Sequence, residues 1–282
     1  MKFALCLLAI VFSAVALPAE MPLESPDELD WSKITPENVY IEPINPVKNV
    51  DLPESRIIGG IEVAPNSVPY QVGVLINGAS FCGGSIISTS RILTAAHCTI
   101  RASFVEIRFG AHIINQNEAT QVRITSTNII NHRSYNSFLI SNDISVVLLP
   151  SAVTLNSRIQ VIPLAPANAG TFEGARAFLS GWGRDSDASN AISPVLRGVN
   201  LNIISNAACR NVFGLVVLSS TICTSGTGTV GACNGDSGGP LVVDGVQVGI
   251  VSFGSRSCEA GNPTAYARVT SFRNWITENA GV

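Results

Sequence analysis

Lysine is almost missing from this 282-residue chain; it occurs only as Lys2, Lys33 and Lys48, so residues 57–282 carry none. Thirteen arginines against eleven acids leave that long part at a formal 13 − 11 = +2. An excess so small and so scattered gives no sign of a nucleic-acid partner, and none is expected. No N-x-S/T sequon stands in the chain, because Asn262-Pro263-Thr264 is blocked by its central proline, so N-glycosylation is not expected. There is no C-x-x-C pair, which argues against zinc. The apolar run over residues 3–15 is too short to span a bilayer, and no membrane partner is expected. Histidine is down to three, His97, His112 and His132, which narrows any search for a general base.

What is present divides the chain in three. Lys2, the apolar run and the small-residue pattern Ala14-Val15-Ala16 read as a secretory signal over residues 1–16. Cys6 falls inside it, leaving Cys82, Cys98, Cys209, Cys223, Cys233 and Cys258 for an oxidising compartment, where an even number implies disulfides. Their pairing is not fixed by the sequence. Residues 17–56 hold seven prolines and nine acids against three bases, the composition of an exposed, poorly packed pro-segment, and they contain no cysteine. The remaining 282 − 56 = 226 residues can bury a substantial core as one large domain or two fused halves.

Within residues 57–282, short alternating segments are separated by turn residues. Segments 71–76 and 81–87 flank Asn77-Gly78, and 241–243 and 246–252 flank Asp244-Gly245, both strong hairpin signals. Further strands are expected over 106–109, 121–125, 144–149, 176–180, 195–203 and 264–269. Only the end reads as helical, with Thr270 or Ser271 as the cap and Phe272, Trp275 and Ile276 on one face. The pattern is that of an all-β sandwich or pair of barrels.

The chemistry is concentrated in Gly235-Asp236-Ser237-Gly238-Gly239-Pro240. A serine among glycines lets a substrate carbonyl approach the backbone, whose N–H groups can bind an oxyanion. The same composition also suits an ordinary turn. A hydroxyl needs a base near neutral pH. His97 follows the apolar Ile92-Leu93 in Thr94-Ala95-Ala96-His97-Cys98, whereas His112 and His132 sit among polar loop residues. An imidazole in that role needs a carboxylate on its other nitrogen. Between His97 and Arg184 the only aspartate is Asp143, just before the apolar segment 144–149; Asp185, Asp187 and Asp244 read as turn residues.

Taken in order, Thr94-Ala95-Ala96-His97-Cys98, Asn142-Asp143-Ile144 and the segment around Ser237 resemble the chymotrypsin-like serine peptidases, most closely the arthropod digestive chymotrypsins. Ile57-Ile58-Gly59-Gly60, Gly181-Trp182-Gly183 and Ser252-Phe253-Gly254 extend the likeness over essentially all of residues 57–282. It implies two six-stranded antiparallel barrels around a cleft, a C-terminal helix, and the bonds Cys82–Cys98, Cys209–Cys223 and Cys233–Cys258. By position, Ser237 is the nucleophile, His97 the base and Asp143 its orienting partner. The N–H groups of Gly235 and Ser237 form the oxyanion hole, and an acyl-enzyme then yields to water. Arg56-Ile57 corresponds to the zymogen cleavage site of the family, whose new ammonium pairs with the carboxylate here at Asp236.

The resemblance also assigns a substrate pocket to Gly231, Ala232, Ser252, Phe253, Gly254 and Thr264. None is acidic, which disfavours Lys or Arg before the scissile bond, since a buried cation needs a counter-charge. Gly254 leaves the entrance open for Phe, Tyr, Leu or Met. Thr264 shortens the pocket where chymotrypsins commonly have glycine, so elastase-like or broad, collagenolytic specificity stays open. Some arthropod collagenolytic relatives have an aspartate there, and this chain departs from them. The expected partners are protein or peptide substrates, a trypsin-like activating protease and protein protease inhibitors, with the enzyme secreted, monomeric and acting in the gut lumen. No cofactor is expected, and no calcium, because the loop with His112, Asn115 and Asn117 offers one carboxylate, Glu118. The rival reading is a catalytically dead homologue kept as a binding module.

Overall fold

Asn77-Gly78 and Asp244-Gly245 both form hairpin turns, the first in a three-residue connection with Ala79 and the second as a two-residue loop. Their φ values, +51° and +69° in the first and +48° and +77° in the second, suit the right-handed twist of paired strands. The computed structural model describes residues 29–47 and 60–282; the expected signal and the Arg56–Ile57 bond lie outside them. Residues 31–282 make one unit, built on two sheets.

The strands are β1 (Thr35–Pro36), β2 (Ile61–Glu62), β3 (Gln71–Ile76), β4 (Ser80–Ser88), β5 (Arg91–Thr94), β6 (Val105–Phe109), β7 (Val122–Ser126), β8 (Ile129–Asn131), β9 (Ser145–Leu148), β10 (Arg176–Gly181), β11 (Arg197–Ile204), β12 (Thr221–Thr224), β13 (Pro240–Val243), β14 (Val246–Phe253) and β15 (Thr264–Arg268). The first sheet runs β7-β6-β3-β4-β5-β9-β8. Its two end strands are separated in the chain only by Thr127 and Asn128, so it curls into a half-barrel. The second runs β10-β13-β14-β15-β12-β11 and closes through the β10–β11 pairing, with β2 added beside β11. All these pairings are antiparallel; the exception is β1, which lies parallel to β4.

Each barrel has an apolar interior. Val72, Ile92, Ile107, Val146 and Phe109 belong to the first, and Leu179, Leu201, Ile222, Leu241 and Val248 to the second. Full burial of one such side chain contributes about 1.5–3 kcal/mol. Among the described residues three α-helices complete the fold: α1 (Ala96–Thr99), α2 (Asn206–Phe213) and α3 (Val269–Ala280). The disulfides pair Cys82 with Cys98, Cys209 with Cys223 and Cys233 with Cys258. Among the described residues no helix is long and apolar enough to cross a membrane.

Three expectations need correction. Helix α2 is absent from the sequence reading, although Ser205 caps it by accepting the Ala208 N–H. The cap of α3 is Arg268, without a side-chain bond, and Thr270 and Ser271 lie inside the helix. Residues 31–47 are not a loose, exposed tail: Ile34 is buried, and the N–H groups of Thr35 and Glu37 donate to Ala79 and Phe81. Backbone groups that find partners on an existing strand edge make a segment ordered whatever its composition.

Candidate active site

The turn between β5 and α1 is fixed from two sides. Thr94 Oγ1 donates to the Gly83 carbonyl at 2.8 Å, and the Cys82–Cys98 bond ties α1 to β4. His97 therefore emerges at the rim of the first barrel. Its backbone N–H donates to Asp143 Oδ1 at 2.8 Å, and its Nδ1 lies 2.7 Å from Asp143 Oδ2. The hydroxyl of Ser252, at the end of β14, donates to the same Oδ2 at 2.6 Å. Asp143 is 1% exposed, so these three donors replace the water it has lost. With Nδ1 donating to the carboxylate, Nε2 is the ring nitrogen left to accept a proton.

Ser237 sits in the loop between β12 and β13, which is bonded to both barrels. Gly83 N–H donates to the Ser237 carbonyl at 2.7 Å, and Gly238 N–H donates to Val251 at 2.9 Å. Gly238 has φ +79°, and a β-carbon there would fall 2.2 Å from Thr94 Oγ1, so the approach of this loop to the His97 turn requires glycine. Ser237 is fully buried, and among the described residues its Oγ has no hydrogen-bond partner; the Ser237–His97 bond is not made here. The Gly235 N–H, expected to bind an oxyanion, donates to the carbonyl of Glu37 at 3.0 Å.

Asp236 points the other way, into the second barrel. Its Oδ1 accepts the Gly183 N–H at 2.7 Å and its Oδ2 the Cys233 N–H at 3.0 Å. Burial pushes its pKa up to about 6, against the opposing pull of those two bonds. A β-carbon at Gly181 or Gly183 would lie 2.1 or 2.2 Å from the carboxylate, so Gly181-Trp182-Gly183 is the wall it rests on.

Beside the loop is a cavity lined by Gly231, Ala232, Phe253, Gly254 and Thr264, with Asn38 at its edge. Among the described residues no carboxylate lines it. Ser252, expected in the pocket, turns its hydroxyl to Asp143 instead. Residues 31–47 and Asn38 within them were not singled out by the sequence reading.

The other candidates are engaged elsewhere. His112 Nε2 lies 2.8 Å from Glu62, while its carbonyl accepts from Trp182 Nε1 at 3.0 Å. His132 packs against Phe272 and Trp275, and burial followed by the nearby Arg133 lowers its pKa. Asp187 accepts from Ser257 Oγ and from the N–H groups of Cys258 and Glu259, and Asp185 lies 3.7 Å from Arg197. Asp244 sits in its hairpin turn. Glu118 Oε2 accepts the N–H groups of His112 and Ile113, so this carboxylate closes its own loop.

Residues 57–276 match the trypsin family model. Brachyurin of Leptuca pugilator is 49% identical over 227 residues, which cover 80% of this chain and 99% of that protein. Chymotrypsin of Phaedon cochleariae is 39% identical over 282 residues, covering 98% and 97% of the two chains. The HL collagenase structure at 1.7 Å resolution superposes with a TM-score of 0.72 at 33% identity, over 79% of this chain and 98% of that one.

Proposed function

Because the chain belongs to the trypsin family and is a serine endopeptidase acting on protein substrates, we propose that Ser237, His97 and Asp143 carry its chemistry and that its pocket selects large apolar side chains. In this reading Ser237 Oγ attacks the scissile carbonyl while its proton passes to His97 Nε2. The N–H groups of Gly235 and Ser237 stabilise the oxyanion, and His97 returns the proton to the leaving amine. Water then releases the acyl group from Ser237 by the same route in reverse. The observation that carries this is the buried Asp143 gripping His97 through both its backbone N–H and its Nδ1.

The specificity reading rests on a pocket without a carboxylate, where Gly231 and Thr264 stand. Residues 1–16 are then a secretory signal and 17–56 a pro-segment removed by a trypsin-like enzyme at Arg56-Ile57. The ammonium freed at Ile57 pairs with Asp236 and orders the oxyanion loop. Secretion and activation by cleavage fit a digestive protease working in the gut lumen. The test has two arms. After Arg56 cleavage and removal of the freed segment, an organophosphonate labels Ser237, and peptides differing only before the scissile bond are cleaved after Phe, Tyr, Leu or Met. Absence of label leaves the binding-homologue reading, and strong cleavage after Arg overturns the pocket assignment.

A second reading, breakdown of collagen, is favoured by the likeness to HL collagenase. Solubilisation of native triple-helical collagen by the cleaved enzyme, scored against gelatin, decides it.

A further inference from the structure

Residues 31–47 cross the proposed catalytic site from one barrel to the other, bonded at nearly every step. Trp31 packs edge-on against Phe81 at 6.1 Å, with the Arg108 guanidinium 4.7 Å from its ring centroid. Thr35 and Pro36 then pair with Ser80 and Phe81. The Glu37 carbonyl takes the Gly235 N–H at 3.0 Å, and Asn38 Nδ2 donates to Asn234 Oδ1 at 2.8 Å. Val39 and Ile41 bracket Gly254: the Gly254 N–H donates to Val39 at 3.2 Å, and the Ile41 N–H donates to Gly254 at 2.9 Å. Their side chains join Ile140, Phe213 and Phe253 in one apolar cluster. Beyond, the Ile44 N–H donates to Val212 and the Val47 N–H to Asn262.

The direction of this segment is opposite to that of a substrate. If the pocket beside Gly254 receives the side chain before the scissile bond, the acyl half of a substrate lies along Gly254, and the leaving half lies toward Phe81 and His97. Here the earlier residues, Thr35 and Pro36, lie along Phe81, and the later ones, Val39 to Ile41, along Gly254, with parallel pairing at both places. The segment therefore offers a carbonyl to Gly235, but the amide nitrogen that would have to leave, that of Asn38, lies on the pocket side. His97, lining a cavity with Glu37 and Ser80, is on the other. A peptide bond held this way round cannot receive its proton from His97.

We propose that residues 31–47 are a reverse-threaded inhibitor of this enzyme, which binds the cleft without being cut and continues to bind after Arg56 is cleaved. No cysteine lies between residues 17 and 56, so once cut the segment is held by non-covalent contacts. The exposed Arg256–Glu42 pair, at 3.5 Å, adds little to them. The backbone bonds and the half-buried Val39 and Ile41 supply the affinity, in the manner of an added strand.

The proposal rests on the assignment of the catalytic site, and its test separates the two. The full chain is cleaved at Arg56, the freed segment is removed, and the enzyme is scored by phosphonate labelling. A synthetic peptide of residues 31–47 is then titrated in. Competitive inhibition of peptide hydrolysis is expected, with the peptide recovered intact by mass spectrometry. The Ile41→Pro peptide, which lacks the N–H given to Gly254, is expected to bind about tenfold more weakly. A labelled enzyme that is not inhibited, a peptide cut between Glu37 and Asn38, or equal inhibition by the proline variant overturns the proposal. If the enzyme takes no label, the catalytic assignment has failed. One-to-one binding of the fluorescent peptide, measured by anisotropy and weakened in the variant, still upholds the docking, and absence of binding refutes it.

Discussion

Gly231 and Thr264 face each other across the pocket: a β-carbon placed on Gly231 would lie 2.9 Å from Thr264 Oγ1. In the proposed assignment of this cavity to the substrate side chain, its depth is set jointly, by the absence of a group on one side and the presence of a hydroxyl on the other. Thr264→Gly is expected to raise kcat/KM for Phe relative to Ala before the scissile bond by about tenfold, the scale of a methylene or two of pocket volume. A matched peptide series on the cleaved enzyme reads this directly. An unchanged ratio would remove Thr264 from the specificity account.

Asp143 has two partners with separable effects. Asp143→Asn exchanges an acceptor for a donor opposite His97 Nδ1 and is expected to lower kcat by about 10⁴-fold, the scale of the same exchange in serine-peptidase triads. Ser252→Ala removes one of three donors to the carboxylate and leaves His97 held, so a drop of about tenfold is expected. Substrate turnover measured at several pH values distinguishes them, and equal losses would mean that Ser252, not His97, is what Asp143 chiefly serves.

The raised pKa of Asp236 has a definite sign. In the uncleaved chain the folded carboxyl, at about 6, holds its proton more tightly than the unfolded one at 3.8. Its contribution to stability is full below 3.8 and is lost as pH rises through 6. Two units correspond to about 3 kcal/mol. The unfolding free energy of the uncleaved protein, measured against that of Asp236→Asn, should fall by about that amount between pH 4 and pH 7. Cleavage at Arg56 should flatten or reverse the slope, because an ammonium beside Asp236 favours its charged form. An identical slope before and after cleavage would contradict the pairing with Ile57.

Gly183→Ala places a methyl 2.2 Å from the Asp236 carboxylate, against a wall containing the fully buried Trp182. The expected result is loss of more than about 10²-fold in activity as the oxyanion loop is displaced. Gly170→Ala is the control: it has φ +80° but open space around it, and a cost of about 1 kcal/mol in stability with full turnover is expected. Thermal unfolding and kcat on both variants make the comparison.

The parts legible in the sequence were those written in local chemistry. Asn77-Gly78 and Asp244-Gly245 announce hairpins because few other dipeptides accept two positive φ values in succession. Strands β5, β8 and β12 went unread because three or four residues are too few for a period-two pattern to show. Helix α2 escaped because its stability comes from the Cys209–Cys223 bond and from burying Val212 and Phe213, not from a run of helix formers. Ser252 was placed beside the pocket, but which way its hydroxyl turned depended on Asp143, 109 residues distant in the chain. Residues 31–47 were the most misleading, since proline and acid content describe how a segment behaves alone, whereas its partners are backbone edges of both barrels.

Helix α3 follows the second barrel in the chain, yet it packs Val269, Phe272, Ile276 and Ala280 into the interior of the first, with His132 against Phe272 and Trp275. On the ribosome, the barrel made earliest therefore waits with an open side until the residues made latest emerge to cover it. Burial of the first half is therefore complete only once the last helix is in place. A chain ending short of residue 269 would leave the apolar surface that Val269, Phe272 and Ile276 cover exposed to water.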